Sequence, residues 1–348
     1  MKTKKTTRLQ VMLLILCLIL TACSNTPNSE TTLQTDLDPS ATAGMIDDSP
    51  LTTTLLQGVP SGLWFMISNG IAECLITSYK GSVLHTTPGD TVSNAIRLSA
   101  AESDFALLHN NISFEAIAGT GMFDEKHENI RGVASFYPSS SQLILDKSLG
   151  VSSLREIIDQ KLKLNIAVGL FEGSGHTAFK RMLEAYELTT EDLEGWGMRF
   201  HYVNVDKVAQ MFADGTVNAM FFVVSVPTPG IVEVSINKEL SIIEIEQEAI
   251  DFVCGKYGYS QGMIPEGSYS FVDRDIAAFS SVTMLGANKD LSVETVYKMT
   301  KAIGDNLDYM RVVHANLNDL TLESMSKNMM VPMHPGAEMY YREMGVIN

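Results

Sequence analysis

Residues 172–177 read Glu-Gly-Ser-Gly-His-Thr, and two of them, Ser174 and His176, are of the types that make a nucleophile and a base. Two positions apart at the start of a helix, their side chains point in different directions. No G-x-S-x-G surrounds the serine, and it fits better as an N-cap, accepting a backbone N–H of the first turn. The stretch loosely resembles a phosphate loop but lacks its lysine and its Gly-Lys-Ser/Thr ending. The seven histidines are scattered, with no His-Glu-x-x-His and no Cys-x-x-Cys, so no metal site and no cofactor is expected. No two carboxylates are placed to face each other as glycoside chemistry requires. The chain therefore reads as a non-enzyme. What remains is anion binding: "LNIAVGL" reads as a strand, a glycine turn follows, and then the bare start of a helix. The first N–H groups of a helix have no internal partner and carry positive partial charge, which suits an anion.

Such a turn needs a strand and a helix to hold it, and the chain repeats that unit. "LTTTLLQ", "SVLHTT" and "DFALL" read as strands, each followed by a turn and an apolar-periodic helix. "IRGVASFYP" and "SQLILDK" are two more extended runs. The pattern then restarts with "KLNIAV", "FHYVNV" and "VNAMFFV", separated by the helical "SGHTAFKRMLEAYEL" and "DKVAQMFADG". A strand "AFSSVTMLGAN" and two helices close the chain and are expected to return to the first lobe. Repeated β-turn-α units make sheets covered by helices, with ligands at the carboxyl ends of the strands. Two such units in series predict two lobes closing on a cleft. Residues 51–138 and 273–348 are assigned to lobe 1 and residues 139–272 to lobe 2.

The ends carry a different signal. Lys2, Lys4, Lys5 and Arg8 precede the apolar run Val11 to Leu20, and "TACSN" follows. That order is a secretory signal, residues 1–23, with an apolar run too short to span a bilayer comfortably. Leu20-Thr21-Ala22-Cys23 resembles a bacterial lipobox, so Cys23 is expected to be lipidated and to tether the chain to a membrane. Residues 24–50, rich in Ser, Thr, Pro, Asn and Asp, read as a flexible tether. The chain carries 25 basic and 41 acidic residues, a net charge of −16, which makes nucleic acid a poor partner. Cys74 and Cys254 are left in the fold and read as buried thiols rather than a disulfide. His334 reads as a turn residue, and Asp273, Arg274 and Asp275 as a solvated loop.

Seven segments, in order, resemble the TAXI group of TRAP-transporter solute-binding proteins. They are "QGVPSGLWFMISNGIA", "TTPGDTVSN", "ESDFALLHNN", "VGLFEGSGHTAFKRML", "FADGTVNAMFFVVSVPTPGI", "YSQGMIPEGSY" and "VPMHPGAEMYYREMG". The similarity runs from about Leu51 to Gly345. It implies an α/β, two-lobed type II periplasmic-binding fold, each lobe a mixed sheet flanked by helices, with the ligand between the lobes. It also implies capture of a small carboxylate, such as glutamate, glutamine or 2-oxoglutarate, outside the cytoplasmic membrane and delivery to a TRAP permease. A sensory protein that reports occupancy to a membrane receptor or kinase would use the same cleft.

Carried onto this chain, the resemblance places the ligand carboxylate at Gly173, Ser174, Gly175 and His176. Thr91 and Asn94 would contribute from the first lobe. Gly58, Ser61 and Gly62 would form a third turn, walled by Trp64. Asn110 would bond a ligand carbonyl or amine, and Phe221, with Phe222, would line the second lobe. The departures are Trp64-Phe65-Met66 where the family has Tyr-Tyr-Pro, Asn111 where it often has Asp, and His176 where it has Thr. They imply a different or more apolar ligand.

Overall fold

The computed structural model describes residues 46–58, 63–171 and 173–348. The signal segment with Cys23, the tether as far as residue 45, and Ser61 and Gly62 of the first turn lie outside the described residues.

The chain begins with three strand–helix units: β1 (Thr52–Gln57), α1 (Leu63–Ser78), β2 (Val83–Pro88), α2 (Thr91–Ser99), β3 (Phe105–His109) and α3 (Asn110–Ala118). β1 lies parallel to both β2 and β3. On α1, Ile67, Ile71, Cys74 and Leu75 recur at helical spacing and are buried, which turns that stripe towards the core. α2 starts with a capping box in which Asp90 accepts the Val92 and Ser93 N–H groups and Ser93 reaches back.

β4 (Ile130–Asp146) follows. The chain then forms α4 (Leu154–Asp159), β5 (Asn165–Ala167), α5 (Ser174–Glu184), α6 (Thr190–Gly195), β6 (Arg199–His201), α7 (Val208–Ala213) and β7 (Ala219–Val224). After these come α8 (Pro229–Asn237), β8 (Leu240–Ile242), α9 (Gln247–Tyr257), β9 (Ser260–Ile264) and β10 (Ile276–Asn288). The last third adds α10 (Val293–Asp305), α11 (Leu307–Val313), α12 (Leu322–Met325) and α13 (Pro335–Glu343). Its Val296, Ile303, Tyr340 and Tyr341 share one core cluster with Leu55, Ile71 and Phe105 of the first units.

The strands form one sheet in the order β2-β1-β3-β10-β4-β7-β5-β6, with β8 against β4 and β9 against β10. Two of them cross between the lobes. The first half of β4 pairs antiparallel with β10, and its second half pairs with β7. β10 in turn pairs with β9 through its own first half and with β3 through its second. The two extended runs expected around Pro138 are therefore a single 17-residue strand. A proline inside a run reads as a break because it cannot donate to the ladder. Here the register is already irregular, shifting opposite Phe136, and β4 continues past the proline. The lobes share one sheet rather than holding one each, with cores on both of its faces in lobe 2.

The chain enters the fold over a buried cation. Lys298 Nζ, on α10, donates to Asp47 Oδ1 at 2.8 Å, to Ser49 Oγ at 3.0 Å and to Glu294 Oε1 at 2.7 Å. Its hydrogen bond holds the Asp47 carboxyl well below the usual range.

Candidate functional site

The carboxyl ends of β3 and β7 open on a cavity of about 220 Å³ between the lobes. Lobe 1 contributes Thr91 and Val92 from the first turn of α2, and His109, Asn111 and Ile112 from the β3–α3 junction. Lobe 2 contributes Val223 at the end of β7, Tyr259, and one face of α5. That face is Ser174, Thr177 and Arg181, spaced i, i+3, i+7, which stacks three side chains along one stripe of a helix. Ser139 of β4 and Ser281 of β10 lie where the two crossing strands pass. A shallower groove of about 380 Å³ adjoins it, sharing Gly173, Ser174 and Val223 and lined by lobe 2 alone.

The glycine turn packs tightly. A Cβ on Gly169 would sit 3.2 Å from the Gly175 Cα, and Gly169 adopts φ +50°, so the end of β5 crosses the start of α5 with no room for side chains. The N-cap of α5 is Gly173, with no side-chain cap hydrogen bond. Ser174 is thus not the cap expected from its position; it is the first helical residue, and it lines the cavity.

Arg181 is the only charged residue among the described residues lining the cavity. It pairs with Glu115 of α3, from the other lobe, and the two side chains are 8% and 1% exposed. Its guanidinium also lies 4.5 Å from the centre of the Tyr257 ring and donates weakly to Tyr259 Oη at 3.4 Å. Burial pushes the Glu115 carboxyl up, opposed by the charge of Arg181. His109 packs its ring 5.0 Å from Trp64. Its Nδ1 is buried with no hydrogen-bond partner among the described residues. Burial pushes the imidazole down to about 4, so it faces the cavity uncharged at neutral pH.

The expected site residues divide. Thr91, Gly173 and Ser174 line this cavity, and Thr91 Oγ1 also accepts the His109 N–H at 3.2 Å. Gly175 borders the shallower groove. Asn94, Asn110, Phe221 and His176 do not line the cavity. Asn94 is fully buried and donates to Leu107 O at 3.0 Å and Gln57 O at 3.3 Å, tying the ends of β3 and β1 together. Asn110 donates to Ser260 Oγ and Asn328 O, both at 2.9 Å, and accepts from Val282 N at 2.8 Å. Its neighbour Asn111 faces the cavity and accepts from Ser281 Oγ at 2.7 Å.

Phe221 packs between Phe179 and Phe279, and Phe222 belongs to the core on the opposite face of the sheet and also borders the shallower groove. In β7 it is Val223 that reaches the cavity. His176 is 2% exposed and stacks on Phe171 at 5.3 Å and edge-on to Tyr202 at 4.9 Å, away from the cleft rim. Trp64 stands behind His109, with its Nε1 donating to Thr283 Oγ1 at 3.2 Å. Gly58 lets it pack there, since a Cβ would come within 2.9 Å of the Trp64 Cβ.

Sequence reading missed Arg181, Glu115 and His109. The i, i+3, i+7 spacing from Ser174 was the available signal for Arg181; none marks Glu115. His334, read as a turn residue, caps α13, with Nδ1 accepting the Gly336 N–H at 3.1 Å. Asp275 and Arg274 hold local contacts to Glu266 N and Glu244 in an exposed loop. Cys74 and Cys254 are free thiols. No group of metal-binding side chains occurs, and no helix is long and apolar enough to cross a membrane, among the described residues.

Residues 55–345 match the model of the NMT1-like family. The chain belongs to the NMT1-like family. The fold of this NMT1-like chain is that of two-lobed solute-binding proteins. A TctC solute-binding protein from Polaromonas is 12% identical, with a TM-score of 0.53 over 78% of this chain and 88% of that one. MatC from Rhodopseudomonas palustris, solved with bound malate, is 15% identical with a TM-score of 0.44, covering 77% and 89%. A TRAP periplasmic solute-binding protein from Rhodobacter sphaeroides, in an apo open form, is 13% identical with a TM-score of 0.43, covering 85% and 91%.

Proposed function

We propose that this NMT1-like chain is an extracytoplasmic solute-binding lipoprotein. It captures a small organic acid between its lobes and delivers it to a TRAP-type permease, held near the membrane by lipid on Cys23. The observation that carries this reading is the α5 stripe Ser174, Thr177 and Arg181 facing Thr91, His109 and Asn111 across one interlobe cavity. The cavity is smaller than the roughly 300–1,000 Å³ of drug-sized sites, which suits a small solute. Val92, Ile112, Met122 and Val223 line the rest of it, so the solute has an apolar body behind its polar head.

No single group suffices for binding. A helix start favours a carboxylate by about 0.3–1 kcal/mol, up to roughly 2 when partly buried, whereas micromolar affinity needs about 8 kcal/mol. The hydroxyls of Ser174, Thr177 and Thr91 and the donors of Arg181 and Asn111 add bonds of about 1.5–3 kcal/mol each where a charge is involved.

The test is thermal unfolding of the chain, cut after the tether, against glutamate, glutamine, 2-oxoglutarate, C4-dicarboxylates and branched-chain and aromatic acids. A ligand at about 100 times its Kd adds roughly 2.7 kcal/mol of stability. A shift with one acid that is lost in Ser174→Ala and Thr91→Ala supports the reading. A folded, ligand-free sample that responds to none of them overturns the carboxylate assignment.

A further inference from the structure

We infer that Glu115 sets the charge of the solute: by neutralising Arg181, it limits the cleft to solutes with at most one negative charge. This rests on the solute-binding reading above and deepens it. Among the described residues Arg181 is the sole charged residue lining the cavity, and the other candidate cation there, His109, is held neutral by burial. A cleft with one unopposed arginine would draw multiply charged anions. This arginine is opposed: Glu115 meets its guanidinium from the other lobe, is 1% exposed, and does not itself line the cavity.

Among the described residues, the rings of Tyr257 and Tyr259 also pack on Arg181, and they carry no charge at neutral pH. Glu184, the next carboxylate on α5, is engaged by Lys256 and Tyr257. The pair is therefore close to neutral as the solute meets it. Arg181 offers N–H donors and little net charge, and the α5 start supplies the partial charge for one anionic head. A second anionic group near Arg181 would also approach Glu115, and like charges in a water-poor site repel strongly.

Three probes of one size and stepped charge test this: glutaramide, glutaramate and glutarate, titrated calorimetrically at neutral pH into the chain cut after the tether. The wild type is expected to bind glutaramate at least roughly tenfold tighter than glutarate, about 1.4 kcal/mol. In Glu115→Gln the released arginine is expected to improve glutarate binding by roughly tenfold or more. The double variant Glu115→Leu/Arg181→Met replaces the ion pair with apolar groups, a change that folds tolerate, and is expected to show no gain for glutarate.

Glutarate binding the wild type as tightly as glutaramate overturns the inference, and so does a folded Glu115→Gln without the gain. Absence of binding of all three probes to both proteins overturns it as well. If Glu115→Gln does not fold, the wild-type comparison decides alone. The site reading fails separately, by Ser174→Ala leaving all probe binding unchanged.

Discussion

Arg181 on α5 and Glu115 on α3 form an ion pair that joins the two lobes across the cleft, with both side chains withdrawn from water. A buried pair is weak evidence for net stability, but removing one partner strands the other. Arg181→Met is expected to destabilise the chain by about 3–5 kcal/mol, read as the urea midpoint. Adding Glu115→Leu should recover most of that loss. Equal midpoints for the single and double variants would show that Glu115 does not depend on Arg181.

Ser174 and Asn110 should separate binding from folding. The Ser174 hydroxyl lines the cavity and caps nothing, so Ser174→Ala should change the unfolding midpoint by less than about 0.5 kcal/mol while weakening solute binding. Asn110 spans α3, β9 and β10 with buried hydrogen bonds. Stranding those partners in Asn110→Ala should cost about 2–4 kcal/mol. Circular dichroism melts of both variants, beside binding titrations, check the contrast; similar melts would sink it.

His109 gives a pH dependence of known sign. Its folded pKa is depressed to about 4, by burial, against an ordinary value near 6.5. The unfolded chain therefore takes up the proton first. The stability that His109 contributes is complete above about pH 6.5 and is lost as the pH falls towards 4. At about 1.4 kcal/mol per pKa unit the loss is at most about 3.5 kcal/mol, less where cavity water reaches the ring. Denaturation midpoints of the wild type and His109→Gln should converge as the pH is lowered through this window. Parallel curves would count against it.

The two thiols should be inert. Burial pushes Cys74 up to about 12 and Cys254 up to about 11. At pH 8 the folded chain should react with iodoacetamide at least roughly 100-fold more slowly than the urea-unfolded chain, because the thiolate is the nucleophile. Intact mass should be the same with and without reductant. Rapid alkylation of the native chain would refute this.

The strand–helix order was legible because each unit shows its own period and ends in turn residues. The continuity of β4 was not, since Pro138 looks like a stop unless the partner strand and its irregular register are known. At the site, the turns were found but side-chain directions were not. Asn110 and Asn111 are adjacent on a helix start, where neighbours point about 100° apart, and only the second faces the cavity. Phe221 and Val223 share one face of β7, and only position along the strand separates the core residue from the one that reaches the cavity. Arg181 and Glu115 were invisible for a different reason. Each sits on a helix, where a charged residue ordinarily meets solvent, and the partner that pairs with it comes from a distant part of the sequence.

The anchoring of the chain at Lys298 has a mechanical consequence. A pull applied at residue 46 loads the Asp47–Lys298 contact first and then β1. β1 is clamped between β2 and β3, both parallel to it, so the load falls across their ladders as shear, with many backbone bonds resisting together. None of these contacts reaches the interlobe cavity. Tension on the leading end is thereby borne first by the ladders of lobe 1.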